Sequence, residues 1–398
     1  MNDAFPSFPM PRACPFDPAP ELRELGNVAR VRIWDGSTPW LVSGYSEQRK
    51  LLQDERISTD PRKEGYPHTS EGAAVGRQAV RAFGFMDDPE HHEYRQLVSR
   101  FFTAERARAM RPTIQSHVDR MIDEMLEGER PVDLVKALAL PLPSIVVYEV
   151  LGVPYDDHGF FHEKVSVIVS DLESPESMFN AVIDLKGYLG TLVEQKSEDP
   201  VDDVISGLVA DGLRPGLISL DEILSSVLLL VAAGYETTAN MISLGVLALL
   251  SNPQQLEMLR PFDNEEVLSR AVSELLRYLS VVHNGTRRVA LDDIHVDGQV
   301  IKAGEGIIFP NEAANRDPSA FAGDPDAVDI LRPVSRHLAF GHGVHICLGQ
   351  WLARAELEIA YSTLFSRLPD LRLAVPFEDL RFREEMSVYG LHALPVTW

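Results

Sequence analysis

The sequence predicts a mainly α chain with small β sheets, and three observations carry that expectation. Apolar residues recur at three- and four-residue spacing through long stretches of the chain. Strand-like runs are short and gather near residue 30, near residue 300 and near the C-terminus. Between them no internal repeat or low-complexity tract breaks the pattern.

Taken in order, Met1 to Pro20 is a leader carrying six prolines, and Val28 to Trp34 and Trp40 to Val42 flank Asp35-Gly36-Ser37-Thr38-Pro39, a hairpin signal. Helical periodicity then marks Gln48 to Leu52, His91 to Phe102, Ala104 to Glu127, Leu142 to Leu151, Met178 to Glu194, Leu220 to Leu250, Glu265 to Tyr278 and Gln350 to Leu368. Strand-like pieces return at Val289 to Val296, Gln299 to Ile301 and Gly306 to Phe309, and Arg316 to Arg336 is irregular and rich in glycine and proline. A single domain over 1–398 is expected, with about residues 25–60 contributing to a small β lobe.

Composition narrows the function. At 398 residues and 45% hydrophobic content the chain can bury a large core. The formal net charge of −23 argues against nucleic acid as a partner. Two cysteines, Cys14 and Cys347, imply no disulfide framework and suit a reducing cytoplasm. The apolar tract Ser225 to Leu250 approaches membrane-spanning length, but Glu236, Thr237, Thr238 and Asn240 interrupt it, so a buried helix is expected and no membrane anchor.

The chemistry concentrates in Phe340-Gly341-His342-Gly343-Val344-His345-Ile346-Cys347-Leu348-Gly349. A lone thiol among glycines, followed by a strong helix former, suits an axial thiolate ligand to haem iron. Gly341, Gly343 and Gly349 would turn the backbone with positive φ and bring N–H groups to the sulfur. The helix from Gln350 would direct its N-terminal dipole at the anion. Phe340 would shield the loop from water, and His345 would reach a haem propionate. Zinc held by His337, His342, His345 and Cys347 is the weaker reading, because paired-ligand spacing is missing.

A second group is Ala233-Gly234-Tyr235-Glu236-Thr237-Thr238. Adjacent threonines and an acid compete with backbone hydrogen bonds in an apolar helix, so a local groove is expected there, with Gly234 leaving space for dioxygen.

The cysteine segment resembles the ligand loop of the cytochrome P450 family, Phe-Gly-x-Gly-x-His-x-Cys-x-Gly, at every specified position. The resemblance extends along the whole chain and implies the P450 fold, a large helical lobe plus a small β-rich lobe around a buried haem. It implies heme b with Cys347 as thiolate ligand, with Phe340 and Gly349 in the ligand loop, and O2 as co-substrate. Thr237 would stabilise activated dioxygen and Glu236 would belong to the proton path. His91, Arg95, Arg288 and His345 would meet the propionates, with Arg287 the rival of Arg288. Glu274, Arg277 and Arg332 look like the buried cluster that braces the haem loop. Pocket residues carried over from the family layout are the loop Gly72 to Phe85, Leu229, Ala232, Ala233, Val282, Asn284, Val388 and Tyr389.

The implied activity is insertion of one oxygen atom into a C–H bond of a bulky apolar molecule such as a macrolide, polyketide, steroid-like compound or xenobiotic. Electrons would come from NAD(P)H through ferredoxin reductase and ferredoxin to a soluble monomer. Arg95, Arg100 and Arg354 are expected to form a basic patch that steers the acidic carrier. A peroxide-driven peroxygenase and a non-catalytic haem sensor or redox module are the alternatives.

Overall fold

In a computed structural model the described residues are 5–12, 14–78, 80–260, 262, 264–333 and 336–398. The hairpin signal becomes strands β1 (Val28–Arg30) and β2 (Trp40–Val42), antiparallel with Val28 opposite Val42 and Arg30 opposite Trp40. Strands β3 (Ile57–Ser58), β4 (Thr286–Ala290) and β5 (Gly306–Phe309) complete a sheet of order β1-β2-β5-β4-β3. Its buried face, with Trp40, Val42, Ala290, Ile307 and Phe309, joins the first sixty residues to the segment near 300.

The run read as one strand from Val289 to Val296 is in fact broken. Asp293 turns out of the ladder, where its carboxylate accepts from the Lys302 ammonium and the Ala303 N–H. Ile294–Val296 then pairs with Gln299–Ile301 as a separate hairpin. A further three-stranded sheet joins Val132–Asp133, Pro395–Thr397 and Arg372–Leu373.

The principal helices are α1 (Tyr45–Leu51), α2 (Glu71–Gln78), α3 (Glu90–Ser99), α4 (Ala104–Glu127), α5 (Pro141–Leu151), α6 (His158–Val169), α7 (Pro175–Glu198), α8 (Leu220–Ser251), α9 (Glu265–Leu279) and α10 (Gln350–Arg367). Two of these, α2 and α6, escape periodicity. Helix α2 is glycine-rich, and α6 carries apolar residues on several faces because it packs on both α7 and the loop before it. Local chemistry starts several of the others: Thr103 accepts from the Arg106 N–H at α4, Asn264 from the Val267 N–H at α9, and Ser219 with Glu222 forms a capping box at α8.

Helix α8 spans 32 residues, about 48 Å at 1.5 Å per residue, and is long and apolar enough to cross a membrane. Here it is the central helix of the fold, packed against α5, α7, α9 and α10. Ile242, Val246, Leu247 and Leu249 are fully buried, each worth roughly 2 kcal/mol in removed apolar surface. The largest core cluster joins α4, α5, α8, α9 and α10; a second joins α3 and α5 to α8. The functional cavity lies between α8 and the start of α10.

Candidate active site

The cysteine loop is built as a tight turn under a cavity of about 460 Å³. The Cys347 N–H donates to the Phe340 carbonyl at 2.8 Å and the Ile346 N–H to the Gly343 carbonyl at 3.1 Å. Gly341 and Gly343 take φ of +71° and +76°, and a Cβ on Gly343 would lie 2.2 Å from the Leu52 carbonyl oxygen. Gly349 departs from expectation. Its φ is −82°, so it is not needed for backbone freedom; it forms the N-cap of α10 and part of the cavity wall, and its N–H donates to the Cys347 thiol.

Burial pushes the Cys347 thiol up, while the Gly349 N–H and the Arg95 guanidinium act in the opposite direction. A bound metal would deprotonate such a thiol outright. Phe340 is half-buried in the same wall, with the Arg354 guanidinium 5.1 Å from its ring centroid and the His337 ring at 5.8 Å.

Next to this loop the structure gathers cations that lack carboxylates. Arg95, from α3, donates to the Ile346 carbonyl at 2.5 Å, and Arg288, from β4, donates to the Arg287 carbonyl at 2.7 Å. Neither forms an ion pair among the described residues. The His345 ring lies tilted against that of His91, with centroids 4.0 Å apart. Burial, then Arg288, His91 and Arg95, push the His345 imidazole down to about 2, and burial lowers His91 as well. Both rings are therefore neutral; His91 Nδ1 faces the Asp88 carboxylate at 3.2 Å, and its Nε2 is buried without a partner among the described residues. Arg287, the rival for Arg288, is already taken: it donates to the carbonyls of Pro67, His68 and Asn284.

On the opposite wall Thr237 and Thr238 of α8 border the cavity beside Ala233. The expected groove does not open. The helix is continuous, and the Thr237 hydroxyl donates to the Ala233 carbonyl at 2.8 Å and that of Thr238 to Gly234 at 3.2 Å. Gly234 serves a packing need instead, since a Cβ there would lie 2.6 Å from Val147 Cγ2 of α5. Glu236 points away from the cavity, fully buried, and its Oε2 accepts from the Arg383 guanidinium at 2.8 Å and from Asn240 Nδ2 at 3.3 Å. Its Oε1 has no partner among the described residues. Nothing local to Glu236 announced Arg383, which arrives from the C-terminal segment.

Glu274, Arg277 and Arg332 form one buried cluster. Arg277 meets Glu274 through two bonds at 2.7 and 2.8 Å, and Arg332 Nε donates to Glu274 Oε1 at 3.1 Å. Arg277 also donates to the Asn315 and Pro325 carbonyls, and Asn315 accepts the Leu338 N–H just before the cysteine loop. The expected basic patch fails. Arg354 is half-buried and hydrogen-bonded to Ser273, Arg95 faces the cavity, and Arg100 is paired with Asp211 at 2.7 Å.

The remaining pocket expectations divide. Leu229, Ala233 and Val282 line the cavity, as do Arg77, Phe83, Gly84 and Phe85 from the expected 72–85 loop, whose first part is helix α2. Ala232 does not, because it sits a quarter-turn from the lining stripe and packs into the second core cluster. Asn284 is buried but turned off the cavity, where it donates to Asp171 at 3.0 Å. Val388 and Tyr389 belong to the main core, Tyr389 beneath the Arg12 guanidinium; Ser387 lines the cavity in their place. Gly72, Ala73 and Gly76 are buried, with Gly72 and Gly76 against Met178 of α7. Val147, Thr286 and Glu356, which also line the cavity, had no local signal in the sequence.

This set fits haem: one thiol with a backbone donor, unpaired buried cations and a partnerless imidazole nitrogen on one side, and a threonine-bearing helix opposite. The comparisons agree. Residues 209–369 match the Cytochrome P450 family. Cytochrome P450 GfsF from Streptomyces halstedii is 47% identical, over 99% of this chain and 96% of that one. Vitamin D3 dihydroxylase from Streptomyces griseolus is 43% identical, over 99% and 97%. The solved structure of mycinamicin VIII C21 methyl hydroxylase from Micromonospora griseorubida, bound to mycinamicin VIII, superposes with a TM-score of 0.93 at 38% identity, covering 99% of this chain and all of that one. On the cysteine loop, the fold and these likenesses together, the chain belongs to the cytochrome P450 family and is a monooxygenase of that family.

Proposed function

We propose that the chain hydroxylates a bulky, largely apolar small molecule of the macrolide, polyketide or steroid-like kind, consuming one O2, two electrons and two protons and releasing water. The observation that carries this reading is the cavity itself, roofed by Phe83, Phe85, Leu229 and Val282 and floored by the cysteine loop. A relative named for vitamin D3 and a neighbour bound to mycinamicin VIII support the substrate class. A ferredoxin with its reductase supplies the electrons from NAD(P)H, and the protein acts as a single-domain, cytoplasmic monomer.

Haem, when bound, supplies dioxygen activation and oxygen insertion. The chain's residues do the rest. Cys347 is the ligand, and the Gly349 N–H together with the α10 N-terminus shares its charge. His91, Arg95, Arg288 and His345 hold the two propionates. Phe340 keeps water from the sulfur.

Proton supply falls to α8. Thr237 Oγ1 lines the cavity and donates to Ala233, so it can accept a hydrogen bond from a water there or, by rotating off Ala233, donate its own O–H into the cavity. Glu236, anchored by Arg383, relays protons from the far side of the helix.

Replacing Thr237 by Ala tests this assignment. With one accepted substrate and a surrogate ferredoxin system, haem content and the substrate-induced spin shift should be unchanged. Most of the NAD(P)H consumed should end as hydrogen peroxide rather than product. Unchanged coupling would leave Thr237 a packing residue.

A further inference from the structure

The two propionates of a haem would leave two of the four arginines in the cavity wall without a counter-charge. The four are Arg77, Arg95, Arg287 and Arg288. Among the described residues the wall holds a single carboxyl, Glu356, which burial drives well above the ordinary carboxylate range and so keeps neutral. Haem b brings two propionates, while ferric iron, the porphyrin dianion and the thiolate sum to zero. Two of the four positive charges are thus met, at Arg95 and Arg288.

Arg287 is solvated by three backbone carbonyls, at 2.6, 3.2 and 3.1 Å. Arg77 has no such shell. Its guanidinium lies 5.1 Å from the Phe85 ring centroid and has no hydrogen-bond acceptor or ion-pair partner among the described residues. Asp171 lies within Coulombic reach of Arg77 but forms no ion pair with it and is not part of the wall; it is held by Asn284 at 3.0 Å and by Thr69, and burial raises it while Arg287 and Arg77 act in the opposite direction. A partly dehydrated cation with unused donors favours an anionic partner, and a carboxylate matches its two-pronged geometry. Among the described residues no carboxylate meets Arg77 at hydrogen-bond or ion-pair distance.

We propose that Arg77 is a specificity-determining residue that binds a carboxylate at one end of an otherwise apolar substrate, holding the other end toward Cys347. This rests on the monooxygenase reading and narrows its substrate class to amphipathic acids.

The test uses the holoenzyme and a chain-length series of ω-(imidazol-1-yl)alkanoic acids with their methyl esters. The imidazole anchors each probe on the iron and reports binding through the absorption spectrum, so the flexible tail alone samples the far wall. At the best chain length the acid should bind the wild type about tenfold or more tighter than its ester, the order expected of a charge-assisted hydrogen bond. Arg77→Gln should erase that preference while ester affinity, haem content and the carbon monoxide band stay as in the wild type. Arg77→Lys should keep part of it.

Equal affinity of acid and ester at every length, or an undiminished preference in Arg77→Gln, would overturn the proposal. Loss of haem from Arg77→Gln would also overturn it, by assigning Arg77 to a propionate. A wild type without the red-shifted carbon monoxide band would strike the monooxygenase reading instead, before any acid and ester are compared.

Discussion

The floor and the roof of the cavity are built on different terms. The floor is one continuous segment, Phe340 to Gly349, whose two positive-φ glycines and backbone hydrogen bonds close the turn locally before α10 begins. The roof is assembled from pieces far apart in the chain: Arg77 of α2 with Phe83 to Phe85, α5 through Val147, α8, the residues around Val282 and Ser387 near the C-terminus. Holding a thiolate is a fixed demand that permits few solutions, whereas enclosing an apolar molecule permits many. Changes in the floor should therefore damage the protein, and changes in the roof should redirect it.

The largest effect is expected below the floor, at the Glu274 cluster. Glu274→Ala strands the Arg277 and Arg332 guanidinium groups without their buried counter-charge and should cost about 3–5 kcal/mol. Equilibrium denaturation of the holoprotein reads it; a loss under 1 kcal/mol would mean that the surrounding carbonyls suffice.

Within the floor, two glycines should separate. Gly343→Ala forces a side chain into positive φ and against the Leu52 carbonyl, and should lose about 1–3 kcal/mol. Gly349→Ala meets neither obstacle and should stay within about 1 kcal/mol of the wild type, its effect appearing in haem loading instead. If both variants lose equal stability, the distinction drawn between backbone strain and cavity space is wrong.

The smallest stability effect belongs to the roof. Phe85→Ala should leave the thermal midpoint and carbon monoxide spectrum nearly unchanged while shifting relative affinities among bulky ligands, measured by spin-state titration, by about tenfold. A variant that loses haem rather than selectivity would make Phe85 part of the haem site.

The same contrast explains what the sequence disclosed. The ligand loop and the Glu274 to Arg277 spacing each lie within one short segment, where residue type and spacing suffice to locate them. The long helices were legible because their apolar faces repeat. Asn284 and Val388 missed by a single residue: the chain turns after Val282, with Asn284 at φ +64°, so that His283 and Gly285 line the cavity, and beside Val388 it is Ser387 that does. Ala232 missed by a quarter-turn of helix. Arg383 with Glu236, and Val147 with Gly234, are meetings of distant segments that no local pattern encodes.

The account depends most on Cys347 as the iron's ligand, and the absorption spectrum of the reduced protein under carbon monoxide tests it most directly. The wild type and Cys14→Ser should show the strongly red-shifted band of a thiolate-bound haem, and Cys347→Ser should lose it while still binding haem. A Cys347→Ser protein that keeps the band, or a wild type that lacks it, would contradict the assignment.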